Sequence, residues 1–512
     1  MSFSQQEEVE RLDKCPLEEE INMNRFSSFL LLCFLILCSK SIFTQNENDL
    51  FRFSKTTYGG SARFEAMGGA FGALGADLSC AQINPAGFAR FSSNQFNASI
   101  YGAANSNQTV FNGTQNNSTI GQIGISNFGC VLTEDISRSS RGHLFRQLGF
   151  NYNEIENFKN NINYEGQQFS SLLDQFTNQA QGYFPEELNT FFPFTTDLAY
   201  QTGAIKYNSI ANNYYSLLNT GDVFHKRTIE QNGRIREFNF NFSTNYLNRL
   251  YIGGNVGLRY FKYEEFFNHE ETLLDTSNTE LRSFIYNNQL LTKGRGLNVK
   301  MGIIYLPVQT VRIGLAIHSP TFAELSDNWS ANMTSTFNYG SQSIPQNQSP
   351  LGNYKYRIRN PLKLVGSVAF TIRSRASINA DVEFIDYKQA HFKSTKDLAY
   401  SPYNFEYENL IARQVFKSTI NFRIGTEFLL TPQFYLRAGY GFYGNAFKSE
   451  ENAETTTEMF YSTGIGVKIN GLSIDMSYRL RTLGRNYYAF TESLTAVKYS
   501  NNRIVVSATL QF

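Results

Sequence analysis

The sequence predicts an all-β protein, an antiparallel transmembrane β-barrel of about fourteen strands, and three observations carry that expectation. The last strand alternates, with Ile504, Val506, Ala508, Leu510 and Phe512 on one face and Arg503, Val505, Ser507, Thr509 and Gln511 on the other. Sheet-forming residues dominate: 15% of the chain is aromatic, with 46 Phe and 30 Tyr against one Trp, and only 17% is charged. Connections alternate between tight turns and long loops, as they do when every second one faces the same side of a membrane.

The period of two places apolar residues toward lipid and polar ones toward the lumen. It recurs in Leu472, Ile474, Met476, Tyr478 and Leu480 against Ser473, Asp475, Ser477, Arg479 and Arg481. Leu436, Ala438, Tyr440 and Phe442 oppose Arg437, Gly439 and Gly441, and Ile420, Phe422, Ile424 and Phe428 oppose Asn421, Arg423, Gly425 and Glu427. Upstream, Phe238, Phe240 and Phe242, then Ile252, Val256, Leu258 and Tyr260, follow the same rule. A soluble sandwich alternates too, so the connections decide. Those at 247–249, 307–308, 373–375, 431–432 and 470–471 are tight, whereas 156–234, 264–293, 320–361 and 389–415 are long. The first two strands are expected near 94–104 and 118–130, and the turn 131–144 is longer than its counterparts.

Composition excludes other classes. A mean hydropathy of −0.34, with no apolar run near about 18 residues after the leader, rules out a helical membrane bundle. A net charge of +1 provides no field for nucleic acid. Residues 1–45 read as a leader: the Glu-rich start ends at Asn22, and Met23, Asn24 and Arg25 precede an apolar core from Phe29 to Cys38. Translation is expected to start at Met23, with a signal peptide over 23–45 cleaved near Gln45. Cys15, Cys33 and Cys38 leave with it, so Cys80 and Cys130 remain, as two free thiols or one bond.

Two loops are apolar as well as long. Leu172, Leu173 and Phe176, then Phe191, Phe192 and Phe194, flank Pro185 and two glutamates that suit a first helical turn. Short amphipathic helices are expected there and in 264–293. Such residues either pack on each other as a cap or form an apolar landing site.

Residues 46–92 are neither strand nor linker and are expected to form a compact segment of short helices ahead of a barrel over 93–512. Gly69, Gly72 and Gly75 lack the spacing of a dinucleotide fingerprint. Asn84 followed by Pro85 is an N-cap with proline at the first helical position. The run Gly60 to Arg63, the pair Ala76 and Asp77, and Asn84, Pro85 and Ala86 just before the first strand resemble the hatch of the FadL/TodX outer-membrane transport family. The similarity continues through His318 to Thr321, Leu325 to Trp329 and Arg423 to Glu427. That resemblance implies a hatch-plugged channel for passive uptake of hydrophobic compounds such as long-chain fatty acids, with lateral release into the membrane. It makes Leu50, Phe51, Phe53, Asn84, Pro85 and Ala86 candidate gating or ligand residues. Either Asn84 and Pro85 form a functional switch or they only terminate the plug.

No catalytic residue, metal ligand or cofactor is expected: the five histidines, His143, His225, His269, His318 and His391, lack metal-ligand spacing. His318 and Ser319 are adjacent and point to opposite faces. Lumen-facing Arg259, Arg423, Glu427, Arg437, Asp475, Arg479 and Arg481 either line an ion path, as in a general diffusion porin, or pair with one another and the hatch. A structural or adhesion barrel is the third reading. The expected partners are outer-membrane lipids, a hydrophobic ligand, and the barrel assembly machinery, for which Phe512 is the expected signal; the chain is expected to be a monomer.

Overall fold

Fourteen antiparallel strands close on themselves because the last pairs with the first: Gln95 faces Gln511 and Phe111 faces Thr495. The computed structural model describes residues 47–512 except 139, 219–222, 275–279, 339–346, 374, 396–402, 449–456 and 489–493. The leader expected over 1–45 lies outside the described residues. In chain order the strands are β1 (Gln95–Phe111), β2 (Thr114–Asp135), β3 (His143–Asn157, resuming as Asn160–Gln168), β4 (Val223–Tyr246) and β5 (Leu250–Leu273). Then come β6 (Leu281–Val308), β7 (Val311–His318, resuming as Phe322–Phe337), β8 (Gly352–Arg359, resuming as Lys363–Ile372) and β9 (Ala376–Asp386, resuming as His391–Ser394). The wall ends with β10 (Ser418–Leu429), β11 (Phe434–Tyr443), β12 (Glu458–Ile469), β13 (Leu472–Tyr488) and β14 (Leu494–Gln511).

The faces fall as the alternation requires. Ile504, Val506 and Leu510 are exposed on the outside, while Arg503, Val505 and Ser507 are buried inside. Phe512 continues the outer row, exposed, and its N–H donates to Asn94 O at 3.1 Å, tying the chain end to the first strand. Among the described residues no helix is long and apolar enough to cross a membrane; the strands do so here.

Four expectations about connections are corrected. β1 and β2 do not stop at 104 and 118 but run on to meet in a two-residue turn, Asn112 at φ 46° and Gly113 at φ 83°. Asn-Gly favours that mirror-image hairpin turn, and the polar inner row Asn105, Asn107, Thr109 hid the strand from an apolar-periodicity criterion. Among the described residues, 264–293 contain no helix: β5 and β6 pass through them, pairing from Leu250–Tyr305 up to Thr272–Ser283. The segment 320–361 likewise extends β7 and β8, with Phe322 to Trp329 laddered against Arg359 to Gly352. The two segments read as loops because these strand ends project past the apolar band, where no lipid enforces strict alternation. The long turn 131–144 shrinks to the residues between β2 and β3.

Candidate functional site

The chain ahead of β1 folds back into the lumen and fills it. It forms helix α1 (Glu47–Ser54), helix α2 (Ala62–Ala66), and two 3-10 turns, Leu78–Gln82 and Pro85–Arg90. The last three of these are each capped by a side chain from the segment itself. Phe64 N–H donates to Ser61 Oγ at 3.1 Å, Ser79 N–H to Asp77 Oδ1 at 2.8 Å, and Ala86 N–H to Asn84 Oδ1 at 3.0 Å. Pro85 occupies the first helical position, as its lack of an N–H permits.

Asn84 does more than cap. Its Nδ2 donates to Gly72 O within the hatch at 2.7 Å and to Ile303 O of the β6 wall at 3.1 Å. The wall makes room for this contact through glycine: a Cβ on Gly302 would lie 1.9 Å from Asn84 Oδ1. On the other side of the lumen a Cβ on Gly439 would lie 2.2 Å from Gly68 N, so hatch backbone rests directly on wall backbone.

Charge locks the segment in place. Glu65 sits between Arg479 at 3.4 Å and Arg503 at 3.2 Å. Arg63 pairs with Glu427 at 2.8 Å, which also takes Arg437 at 2.7 Å, and Arg437 reaches on to Asp475 at 2.7 Å. Asp381 accepts from the N–H groups of Phe71 and Gly72, and Glu383 from the Tyr58 hydroxyl at 2.5 Å. Arg259 and Lys300 both close on the buried Glu237. Of the two readings for the lumen charges, pairing with one another and with the hatch is the one observed, as desolvated charges require.

Further from the turn side of the barrel, α1 stands in an apolar chamber. Leu50 and Phe53 are buried there among Ile155, Phe261, Tyr356 and Phe392. The Phe53 ring meets Phe261 edge-on at 6.0 Å, and Phe51 meets Tyr387 at 5.6 Å and Phe447 at 5.4 Å. Two cations sit beside these rings: Arg52 lies 4.1 Å over the Tyr263 ring and pairs with Asp49, and Lys55 pairs with Glu458. Leu50, Phe51 and Phe53 are thus brought together, whereas Asn84, Pro85 and Ala86 are not part of the chamber. Ala86 packs instead with Tyr251 and Ile304 on the β5 and β6 wall.

The ladder between β2 and β3 stops short of their full length. β2 pairs with β3 only from Asn127–Asn153 down to Asp135–Phe145. At that level β3 carries a bulge, since Glu154 faces Arg236 and Glu156 faces Ile235, which leaves Ile155 as the extra residue. Ile155 points inward into the chamber. Beyond it the resumed part of β3 stays laddered on β4, from Asn160–Gln231 to Gln168–Val223, but its other edge is met by side chains of β1: Asn107 Nδ2 donates to Asn161 O at 2.7 Å and Thr109 Oγ1 to Asn163 O at 2.6 Å.

Between β3 and β4, helices α3 (Leu172–Ala180), α4 (Leu188–Phe191) and α5 (Thr196–Gln201) form a cap. Leu172, Leu173 and Phe176 are buried in its core with Leu188, Leu198 and Phe284, while Phe192 and Phe194 are half-buried against it. Phe191 stands at the edge of the cap, its ring 5.0 Å from that of Tyr183 but 56% exposed. The packed-cap alternative describes all but Phe191.

A cluster that sequence spacing does not reveal anchors this cap. His225 of β4 is paired in register with Glu271 of β5, and Arg227 with His269, so the two histidines and the carboxylate share one inner face. His225 Nδ1 lies 3.4 Å and His269 Nε2 2.7 Å from Glu271 Oε1. The group could hold an ion only if His269 had a lone pair to give, yet Arg227 Nε donates to His269 Nδ1 at 3.1 Å, so Nε2 carries the proton and donates to Glu271. Burial holds both imidazoles below their usual range and raises the Glu271 carboxyl. Glu271 in turn accepts from Ser171 Oγ and from Leu172 N–H at 2.8 Å, at the start of α3. Replacing Glu271 by Ala strips that helix start of its acceptor, and we expect a local cost of about 1–3 kcal/mol. Limited proteolysis should then cut the 169–222 loop faster, with the barrel still heat-modifiable.

Cys80 and Cys130 are both free thiols. His318 Nε2 donates to Ile83 O at 2.8 Å, a structural bond to the hatch, and Ser319 Oγ accepts from Val299 N–H.

A membrane-spanning antiparallel wall closed by its own N-terminal segment defines the class: a hatch-plugged barrel of the kind found in outer membranes. No protein-family model and no curated protein sequence matches the chain. Solved structures do. The toluene transporter TodX of Pseudomonas putida aligns over 90% of this chain and all of its own, at 12% identity and a TM-score of 0.52. A FadL homologue of Pseudomonas aeruginosa aligns over 89% of this chain and 99% of its own, at 12% identity and a TM-score of 0.51. The chain therefore has the FadL/TodX fold.

Proposed function

We propose that the protein is an outer-membrane channel for passive uptake of hydrophobic compounds, with long-chain fatty acids as the substrate class and lateral release through the β2–β3 seam. The observation that carries this reading is the chamber around α1. It is apolar, lies inside the barrel, and is occupied by Leu50, Phe51 and Phe53 of a helix eight residues long. A helix of eight residues is marginal on its own and can leave without breaking the wall, and the site it vacates suits an acyl chain. Arg52 and Lys55 stand beside it and suit a carboxylate, in exchange for their present partners Asp49 and Glu458. Passage onward through the paired charges of the hatch is unfavourable for an apolar compound, which supports an exit through the wall. Ile155 supports this route because the bulge that interrupts the seam also lines the chamber.

The test compares uptake of labelled oleate by cells making wild type, an Ile155 deletion or Ile155→Ala at matched surface level. The deletion removes the extra residue and lets β3 pair with β2 beyond Asn127, so uptake should fall about tenfold, whereas Ile155→Ala keeps the bulge and most of the uptake. Equal uptake by all three, with equal folded protein, would sink lateral release. Wild-type uptake of toluene but not oleate would replace the substrate class.

A further inference from the structure

Away from the lumen, the outer surface changes character along one level of the wall. The facing pairs Phe238–Leu258, Leu258–Leu297 and Leu297–Phe322 form an apolar row across β4 to β7. One step further from the turn side, Arg236, Tyr260, Arg295, Glu324, Arg357 and Lys393 face one another in turn from β4 to β9. The step after that contributes Lys262, Lys293 and Lys355. Every cation in these two rows is exposed on the outer face. Acid does not balance them. Glu324 reaches Arg357 at 3.4 Å and Glu264 takes Lys262 at 2.9 Å, while Arg295 and Lys393 have no acidic partner among the described residues.

The rows are also indented. β7 breaks at Ser319–Thr321 and β8 at Asn360–Leu362, where Pro320 and Pro361 remove ladder donors on neighbouring strands. Beside this break lies a cleft of about 650 Å³, lined on its apolar side by Leu258, Leu297 and Phe322 and on its basic side by Arg295, Arg357, Arg359 and Lys393. Arg359 lies over the Phe322 ring at 5.7 Å.

We propose that this cleft binds a phosphate-bearing lipid of the outer leaflet. The side follows from the fold: the basic rows lie toward the long loops, opposite the turns and Phe512. The chemistry follows from the order of the rows. Guanidinium groups that can fork onto phosphate oxygens stand immediately beyond the apolar band, so one ligand can satisfy both by placing its phosphate on the arginines and its chains on Leu258, Leu297 and Phe322. A free anion would leave the apolar side of the cleft unused, and a soluble protein partner would have to reach residues at the membrane boundary. The inference needs only that the barrel spans an outer membrane and is independent of the compound transported.

Native mass spectrometry of the purified full chain in detergent, with bis-phosphorylated lipid A as probe, tests it. Wild type should retain the lipid. The fourfold variant Arg295→Gln, Arg357→Gln, Arg359→Gln, Lys393→Gln should bind it at least about tenfold more weakly. The control Arg373→Gln with Arg375→Gln, at a turn on the opposite side, should bind like wild type. Dephosphorylated lipid A should bind wild type as weakly as the phosphorylated form binds the fourfold variant, and raised salt should weaken the wild-type complex. Equal retention by wild type and fourfold variant, both heat-modifiable, would overturn the site. Equal binding of the dephosphorylated form would remove the phosphate from the argument, and inorganic phosphate competing at the same concentration as the lipid would replace the lipid by a free anion.

Discussion

Deleting residues 47–90 will convert a closed barrel into an open pore: liposomes carrying the deletion should swell in arabinose about tenfold faster than those carrying the intact chain. The intact lumen is crossed by Arg63–Glu427, Glu65 between Arg479 and Arg503, and hatch amides on Asp381. A hydrated sugar has no path through such contacts without breaking desolvated ion pairs. Once the hatch is gone, Glu427 keeps Arg437, Arg503 keeps Glu154 and Arg479 exchanges Glu65 for water, so the wall should still assemble. A heat-modifiable band confirms that it has. Fast swelling by the intact chain, equal to that of the deletion, would mean the segment leaves the lumen in the membrane, and a general porin would then be the better reading.

Asn84→Ala should loosen the hatch by about 2–3 kcal/mol, of which capping accounts for about 1 and the two carbonyls left without Nδ2 for the rest. Gly72 O and Ile303 O are those carbonyls, one on the hatch and one on the wall. Asn84→Ser separates the terms, since a hydroxyl can cap Ala86 N–H but is too short to reach Ile303, and it should cost about half as much. Hydrogen exchange of the amides from Gly72 to Arg90 reads the local opening, with heat-modifiability as the check on the barrel. If Asn84 belongs to a switch, labelled fatty-acid uptake changes with the opening. Equal uptake by wild type and Asn84→Ala, at equal surface level, leaves the turn as scaffold.

Much of the wall was legible in the sequence because a lipid-facing strand must alternate. Leu472, Ile474 and Met476 can face only outward if Asp475 and Ser477 are to be buried, so one strand assigns its own faces. The cap of Asn84 on the Pro85 turn was legible for a similar reason, being a contact between neighbours in the chain. Strand length beyond the bilayer was not. β5 and β6 keep pairing past the apolar band, where composition stops reporting on lipid, and 264–293 therefore read as loop.

A period of two and a local turn can encode a barrel of about fourteen strands, its lipid face, and a capped segment ahead of it. Only the tertiary structure decided which distant groups meet. Glu65 and Arg503 stand 438 positions apart, His225 and Glu271 come together only through the β4–β5 register, and Arg295 and Lys393 share a cleft only because the four strands β6 to β9 are aligned side by side. Alternation says which face a side chain is on and nothing about how far along the barrel it stands. That height is set by cross-strand hydrogen bonds between residues far apart in the chain, and no local pattern records it.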